Sequence, residues 1–112
     1  MKRFPKGVRQ TVGQALFDAQ TGGKHPGAKP LKGFHGAGVL EVVEDDNGNT
    51  YRAVYTVKFA GVVYVLHAFQ KKSKSGSKTP PAEIEKVRAR LKEAAKHYAE
   101  WDEQQKEEQG HH

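Results

Sequence analysis

Between Val39 and Phe69 the chain reads as three β segments joined by turns too short to hold another element, and this block dictates what the rest must do. Val39 to Val43 is rich in β-branched residues. Asp45-Asp46-Asn47-Gly48-Asn49 is a hairpin loop in which Asn47-Gly48 supplies the positive φ angles of a tight turn. Tyr51 to Phe59 alternates, with Tyr51, Ala53, Tyr55, Val57 and Phe59 facing one way and Arg52, Val54, Thr56 and Lys58 the other. Ala60-Gly61 turns the chain into Val62 to Phe69, which predicts an antiparallel meander. A meander of this size is stable in water only when something packs on its apolar face.

The flanking segments supply that cover. After Pro5, the apolar residues Val8, Val12, Ala15, Leu16 and Ala19 mark one face of a helix of about 15 residues, which Thr21-Gly22-Gly23 ends. At the other end Thr79 can cap a helix and Pro80 fits its first position, followed by Ile84, Val87, Leu91, Ala94, Tyr98 and Trp101 at three- and four-residue steps. Its tail, Asp102 to Gln109, is all polar and is expected to fray. Gly110-His111-His112 reads as the remnant of a purification tag. Residues 22–38 hold six glycines and two prolines and read as an irregular connection anchored by Leu31 and Phe34. A connection this long in a small domain is itself a hint of function. The expected fold is a single α+β domain over residues 1–109, in the order α-β-β-β-α. Its antiparallel sheet is packed on one face by both helices, and the other face is left open.

With 112 residues and 36% apolar composition, there is material for one modest core. No cysteine is present, which removes a disulfide scaffold, a thiol nucleophile and a zinc ribbon. Met1 to Gly7 is charged with no hydrophobic stretch behind it, and Ala60 to Phe69 is too short to span a bilayer. A cytoplasmic protein is the expectation. Charge is uneven: residues 1–36 carry seven basic groups against Asp18, and residues 71–81 carry four lysines and no acid. The middle and the tail are each slightly acidic, and the total is +6. Such asymmetry favours a polyanionic partner, nucleic acid being the simplest, unless it only solubilises the surface.

Few residues stand out chemically. Arg52 sits mid-strand, where a guanidinium offers a planar fork of donors suited to phosphate, or pairs with Glu41 across the hairpin. Lys71 and Lys72 leave the last strand and are held more firmly than Lys74 and Lys78, which suit backbone steering or simple solvation. His25, His35, His67 and His97 are not at metal-ligand spacing, so no metal or other cofactor is expected. His67, nearest Lys71, is the best histidine for chemistry, although a packed strand histidine is the commoner role. Gly36-x-Gly38 precedes a strand and is no phosphate loop, and neither GxSxG nor HExxH occurs.

Taken together, Leu31-Lys32-Gly33, Gly38-Val39-Leu40-Glu41-Val42, Tyr51-Arg52-Ala53-Val54-Tyr55 and Tyr64 to Lys72, closed by Lys78-Thr79-Pro80, resemble the RelE/ParE toxin superfamily. The resemblance is closest to its HigB-like, phage-associated branch and runs from about Phe4 to Ala95. It implies a toxin of a type II toxin–antitoxin pair that acts as a ribosome-dependent mRNA endoribonuclease, cutting without metal by attack of the 2′-hydroxyl. The implied partners are a cognate antitoxin, the ribosome and mRNA, with DNA contact only through the antitoxin complex and no membrane. Arg52 matches the phosphate-binding arginine, and Lys71 falls at or beside the second basic position, with Lys72 as the alternative. Lys32, Lys72, Lys74 and Lys78 are then the RNA-binding lysines.

The chain departs from the RelE pattern on its first long strand. Where relatives carry lysines, it has Leu40-Glu41-Val42-Val43, so Glu41 is either a carboxylate base or a neutralising partner for Arg52. No counterpart of a C-terminal Tyr or His acid is evident, which leaves His67 or a lysine for that task. Two other readings share the fold: a ParE-like inhibitor of DNA gyrase, and a non-catalytic nucleic-acid-binding module.

Overall fold

The computed structural model describes residues 4–34, 38–71 and 79–110, with backbone only for Lys71 and residues 107–110. The chain runs through α1 (Lys6–Gln20), β1 (Ala28–Pro30), β2 (Val39–Asp46), β3 (Asn49–Thr56), β4 (Tyr64–Lys71) and α2 (Pro81–Gly110). The strands form one antiparallel sheet in the order β1-β2-β3-β4. The expected α+β class and α-β-β-β-α layout are present, with β1 as an additional three-residue edge strand.

Local chemistry accounts for the element ends. Asn47 at φ 50° and Gly48 at φ 80° form the two-residue turn between β2 and β3, with the mirror-image twist that suits a hairpin. Gly38 holds φ 60°, and a Cβ there would lie 3.1 Å from the Lys58 backbone nitrogen, so a side chain would be both strained and crowded. Pro5 is the residue before α1, its carbonyl accepting from the Arg9 N–H at 3.0 Å. Pro80 plays the same part for α2, accepting from Glu83 and Ile84 at 3.0 and 3.1 Å. Pro81 is therefore the first helical residue, and Thr79 does not cap the helix as its sequence position suggested; its hydroxyl is committed elsewhere. The polar tail does not end the helix early: α2 continues through it to Gly110.

One packing expectation is overturned. The two helices lie on opposite faces of the sheet. On one face Val8, Val12 and Ala15 of α1 are buried with Ala28, Val42, Tyr51, Ala53 and Tyr55. On the other, Val87 and Ala94 of α2 are buried with Leu31, Phe34, Val39, Val54 and Leu66, and Ile84, Leu91, Phe59 and Tyr64 pack beside them. The reason lies in β3, where all six residues from Tyr51 to Thr56 are buried. Alternation sends Val54 and Thr56 to the side opposite Tyr51 and Tyr55, so both faces are apolar enough to need cover. Leu31 and Phe34 do anchor the long connection, at 7% and 8% exposure.

Two strand boundaries also differ from expectation. β3 stops at Thr56, so Phe59 escapes the alternation and packs edge-on to Tyr64 and against Tyr98 on the α2 side. In β4, Tyr55 pairs with Val65 but Val54 with His67, leaving Leu66 as the extra residue of a bulge. The bulge turns Leu66 and His67 toward the same helix, α2.

Candidate functional site

The α2 face of the sheet gathers Glu41, Arg52 and His67 from three successive strands. Glu41 pairs in register with Val54, and Val54 with His67; Arg52 pairs with Val43 and Phe69. Phe69 in turn stacks on the His67 ring at 5.2 Å and 21°. The three polar residues thus occupy adjoining positions of one surface, within about two strand spacings.

Arg52 is 2% exposed. Its Nη1 donates to Thr79 Oγ1 at 3.0 Å and lies 3.5 Å from Glu41 Oε2, while the Thr79 hydroxyl donates to that same carboxylate oxygen at 3.0 Å. A buried guanidinium requires such partners, because desolvating it unpaired would cost several kcal/mol. The pairing with Glu41 across the hairpin that the sequence left open is therefore present, and Thr79 completes a three-membered ring of polar groups.

His67 is 8% exposed and is held at both ring nitrogens by α2. Arg90 Nη1 donates to Nδ1 at 2.7 Å and also to the Leu66 carbonyl at 3.0 Å. An arginine can only donate, so Nδ1 must be the lone-pair nitrogen and Nε2 carries the proton of the neutral ring. That proton faces the Glu83 carboxylate, which is hydrogen-bonded to Nε2. A carboxylate on one nitrogen and a guanidinium on the other fix both tautomer and ring orientation.

The remaining expected residues fare differently. Lys71 closes β4 opposite Thr50, on the same alternate register as His67 and Phe69. Lys32 is exposed in the turn before Phe34. Lys72, Lys74, Lys78 and His35 lie outside the described residues. His97 accepts or donates across 2.8 Å to the Tyr64 hydroxyl, and His25 Nδ1 accepts from the Gly27 N–H at 2.9 Å. Among the described residues no three His, Asp or Glu side chains gather as a set that could hold a metal.

Sequence reasoning missed Thr79, Glu83, Arg90 and Lys29. Thr79 reads as a helix cap, and Glu83 and Arg90 fall outside the apolar stripe that marks α2. Lys29, the exposed register partner of Glu41, sits on the short β1, which has no strand pattern of its own.

All of these site residues fall within residues 1–92, which match the family described as phage-derived protein Gp49-like (DUF891). The chain belongs to the Gp49-like family. That places it in a RelE-type, toxin-like family. The Gp49-like match ends within α2, after Arg90 and before Ala94 and Tyr98. No curated protein and no solved structure matches the chain. Among the described residues no helix is long and apolar enough to cross a membrane.

Proposed function

We propose that this Gp49-like chain is a HigB-like toxin of a type II toxin–antitoxin system that cleaves mRNA on the ribosome in the cytoplasm. The observation that carries the reading is the convergence of Glu41, Arg52 and His67 on one face of the sheet. Internal cleavage of RNA needs three things: a base for the 2′-hydroxyl, a cation for the charge that builds on phosphorus, and an acid for the departing 5′ oxygen. Glu41 takes the proton as the 2′ oxygen attacks phosphorus. Arg52, with Lys71 as second cation, neutralises the phosphorane. The His67 Nε2–H donates a hydrogen bond to the departing 5′ oxygen, which takes its proton from solvent water as the P–O bond breaks, leaving a 2′,3′-cyclic phosphate and a 5′-hydroxyl. A positioned acid or base is worth about 10² to 10⁴ in rate, and one preorganised donor on a developing oxyanion about 10² to 10³. Lys32, Lys72, Lys74 and Lys78 bind the RNA backbone, and a cognate antitoxin silences the protein.

The deep burial of Arg52 favours a second reading, in which its ring with Thr79 and Glu41 is a structural clasp and the protein acts only by binding. Primer extension on a reporter mRNA in a reconstituted translation reaction separates the two. Cuts that need ribosomes and vanish in Arg52→Lys, a variant that keeps the charge but not the fork, support the nuclease. Normal translation with no cuts rejects it.

A further inference from the structure

Three of the groups that this chemistry needs, Glu41, Arg52 and His67, are each engaged by one short stretch of chain. Thr79 takes up Nη1 of Arg52 and Oε2 of Glu41, and Glu83 takes up the Nε2 proton of His67. Two residues of this stretch, Thr79 and Glu83, therefore engage Glu41, Arg52 and His67 together. With them in place Arg52 is only 2% exposed.

We infer that the first turn of α2 is a built-in cover that holds the site closed in the free chain and must swing away before RNA can bind. This inference rests on the nuclease reading and concerns the regulation of that same site. The rest of α2 is not required to move. Val87 is fully buried, and Ala94 is nearly so among Leu31, Phe34, Val54 and Leu66, so the helix from Val87 onward is anchored by apolar packing. The first turn is not. Pro81 and Ala82 are exposed, Thr79, Pro80, Glu83 and Ile84 are half-buried, and none of them belongs to the fully buried core. Pro80 and Pro81 have no N–H to give, and the Pro80 carbonyl accepts from the Glu83 and Ile84 N–H groups at the start of the helix. The Thr79 and Glu83 side chains tie it to the sheet by hydrogen bonds, and Ile84 packs only at the margin of the core. Fraying of one such turn is an ordinary local opening, far cheaper than lifting the helix. Arg90, about two turns beyond Glu83, keeps its hold on the Leu66 carbonyl and the far nitrogen of His67, so the histidine stays oriented when its Nε2–H turns from Glu83 to substrate.

The test uses the full chain and the reactivity of Arg52 toward phenylglyoxal, read by peptide mass spectrometry against exposed Arg9 in the same sample. In the unaltered protein Arg52 should label much more slowly than Arg9. Each hydrogen bond to a charged group is worth about a tenfold change in opening, so Thr79→Ala with Glu83→Ala should speed Arg52 labelling by at least about tenfold. Arg9 labelling and the circular dichroism spectrum should not change, and Thr79→Ser, which keeps the hydroxyl, should stay protected. Equal labelling of Arg52 and Arg9 in the unaltered chain overturns the inference. So does protection of Arg52 that survives the double variant. Binding of a 2′-O-methyl RNA oligonucleotide, which cannot be cut, then separates this inference from the nuclease reading. Tighter binding in the double variant that disappears on adding Arg52→Lys supports both. Faster labelling without tighter binding supports the cover and rejects RNA as what it covers.

Discussion

Nη1 of Arg52 on β3 lies 3.5 Å from Oε2 of Glu41 on β2, although the two residues are diagonal neighbours and not register partners. The diagonal leaves room for the Thr79 hydroxyl to insert between them, 3.0 Å from each. This makes the pair part of the α2 face and ties the strand chemistry to the start of the helix. It also gives the pair a stability consequence that is separable from any catalytic one.

Breaking a buried ion pair from one side leaves the other charge desolvated, whereas replacing both partners with apolar groups removes the penalty. Arg52→Met should therefore destabilise the fold by about 3 kcal/mol, and Arg52→Met with Glu41→Leu should recover most of that loss. Urea unfolding of the two single variants and the double variant measures the coupling. A double variant as unstable as the sum of the singles would show that the pair carries no mutual dependence.

The two cores are separated by the sheet, so their contributions should be independent. Val8 at 1% exposure anchors α1, and Val87 at 0% anchors α2. Truncating either to Ala removes two methyl groups and leaves a small cavity, at a cost of about 2 kcal/mol each. Because the side chains share no cluster, the double variant should add to within about 0.5 kcal/mol. Strong coupling in equilibrium unfolding would mean that the helices pack on each other across one face.

Much of this architecture is legible in the chain, for identifiable reasons. Helix periodicity locates α1, and Asn47-Gly48 fixes the hairpin register because a two-residue turn with two positive φ angles allows little else. The side of the sheet that α2 covers is not legible from α2 itself, whose stripe from Ile84 to Tyr98 fits either face. It could have been read from β3, where Val54 and Thr56 are poor residues for an open face. The candidate site is legible only in its strand members. Thr79, Glu83 and Arg90 act through tertiary contacts 16 to 38 residues away in sequence, and local pattern carries no trace of that.

Tyr55 offers a pH test. Its ring is buried against α1, and among the described residues its hydroxyl has no hydrogen-bond partner. Burial, and secondarily the Asp18 carboxylate, pushes the phenol above its ordinary value of 10.0. A pKa raised on folding means that the folded chain keeps a proton that the unfolded chain gives up. The associated stability is whole below about pH 10 and is lost as pH rises through the folded-state value. Tyr55→Phe should therefore flatten the alkaline fall in stability. It should leave the neutral-pH melting temperature unchanged or slightly higher, since no hydrogen bond is lost and an unsatisfied polar atom is removed. Thermal melts of both proteins between pH 7 and about 11 test this, and parallel alkaline limbs would refute it.

Arg90 should matter more to β4 than its exposure suggests, because its Nη1 holds both the bulge carbonyl of Leu66 and Nδ1 of His67. Arg90→Met keeps the stem but leaves both acceptors unpaired, at a cost of about 1 to 2 kcal/mol. Amide exchange in the Tyr64 to Phe69 stretch should quicken, while the β2–β3 hairpin stays protected. Uniform quickening across the sheet would instead indicate global destabilisation.

The proposed RNA chemistry makes a last, quantitative distinction between two cations. Lys32 is exposed in a loop, so its contribution to RNA binding is that of a point charge near a phosphate. Lys32→Ala should weaken binding at every RNA sequence and lower the slope of log affinity against log salt by about 1, with cleavage per bound complex unchanged. Arg52 is proposed to meet the phosphorane, where a planar fork matters as well as charge. Arg52→Lys should therefore cut the rate constant for cleavage by about 10² or more, with a much smaller effect on the salt slope. Binding titrations at several salt concentrations, together with single-turnover cleavage on programmed ribosomes, give both quantities for each variant. If the two substitutions lowered rate and salt slope alike, Arg52 would be one more surface charge for RNA, and the division between a reacting centre and a steering loop would fall.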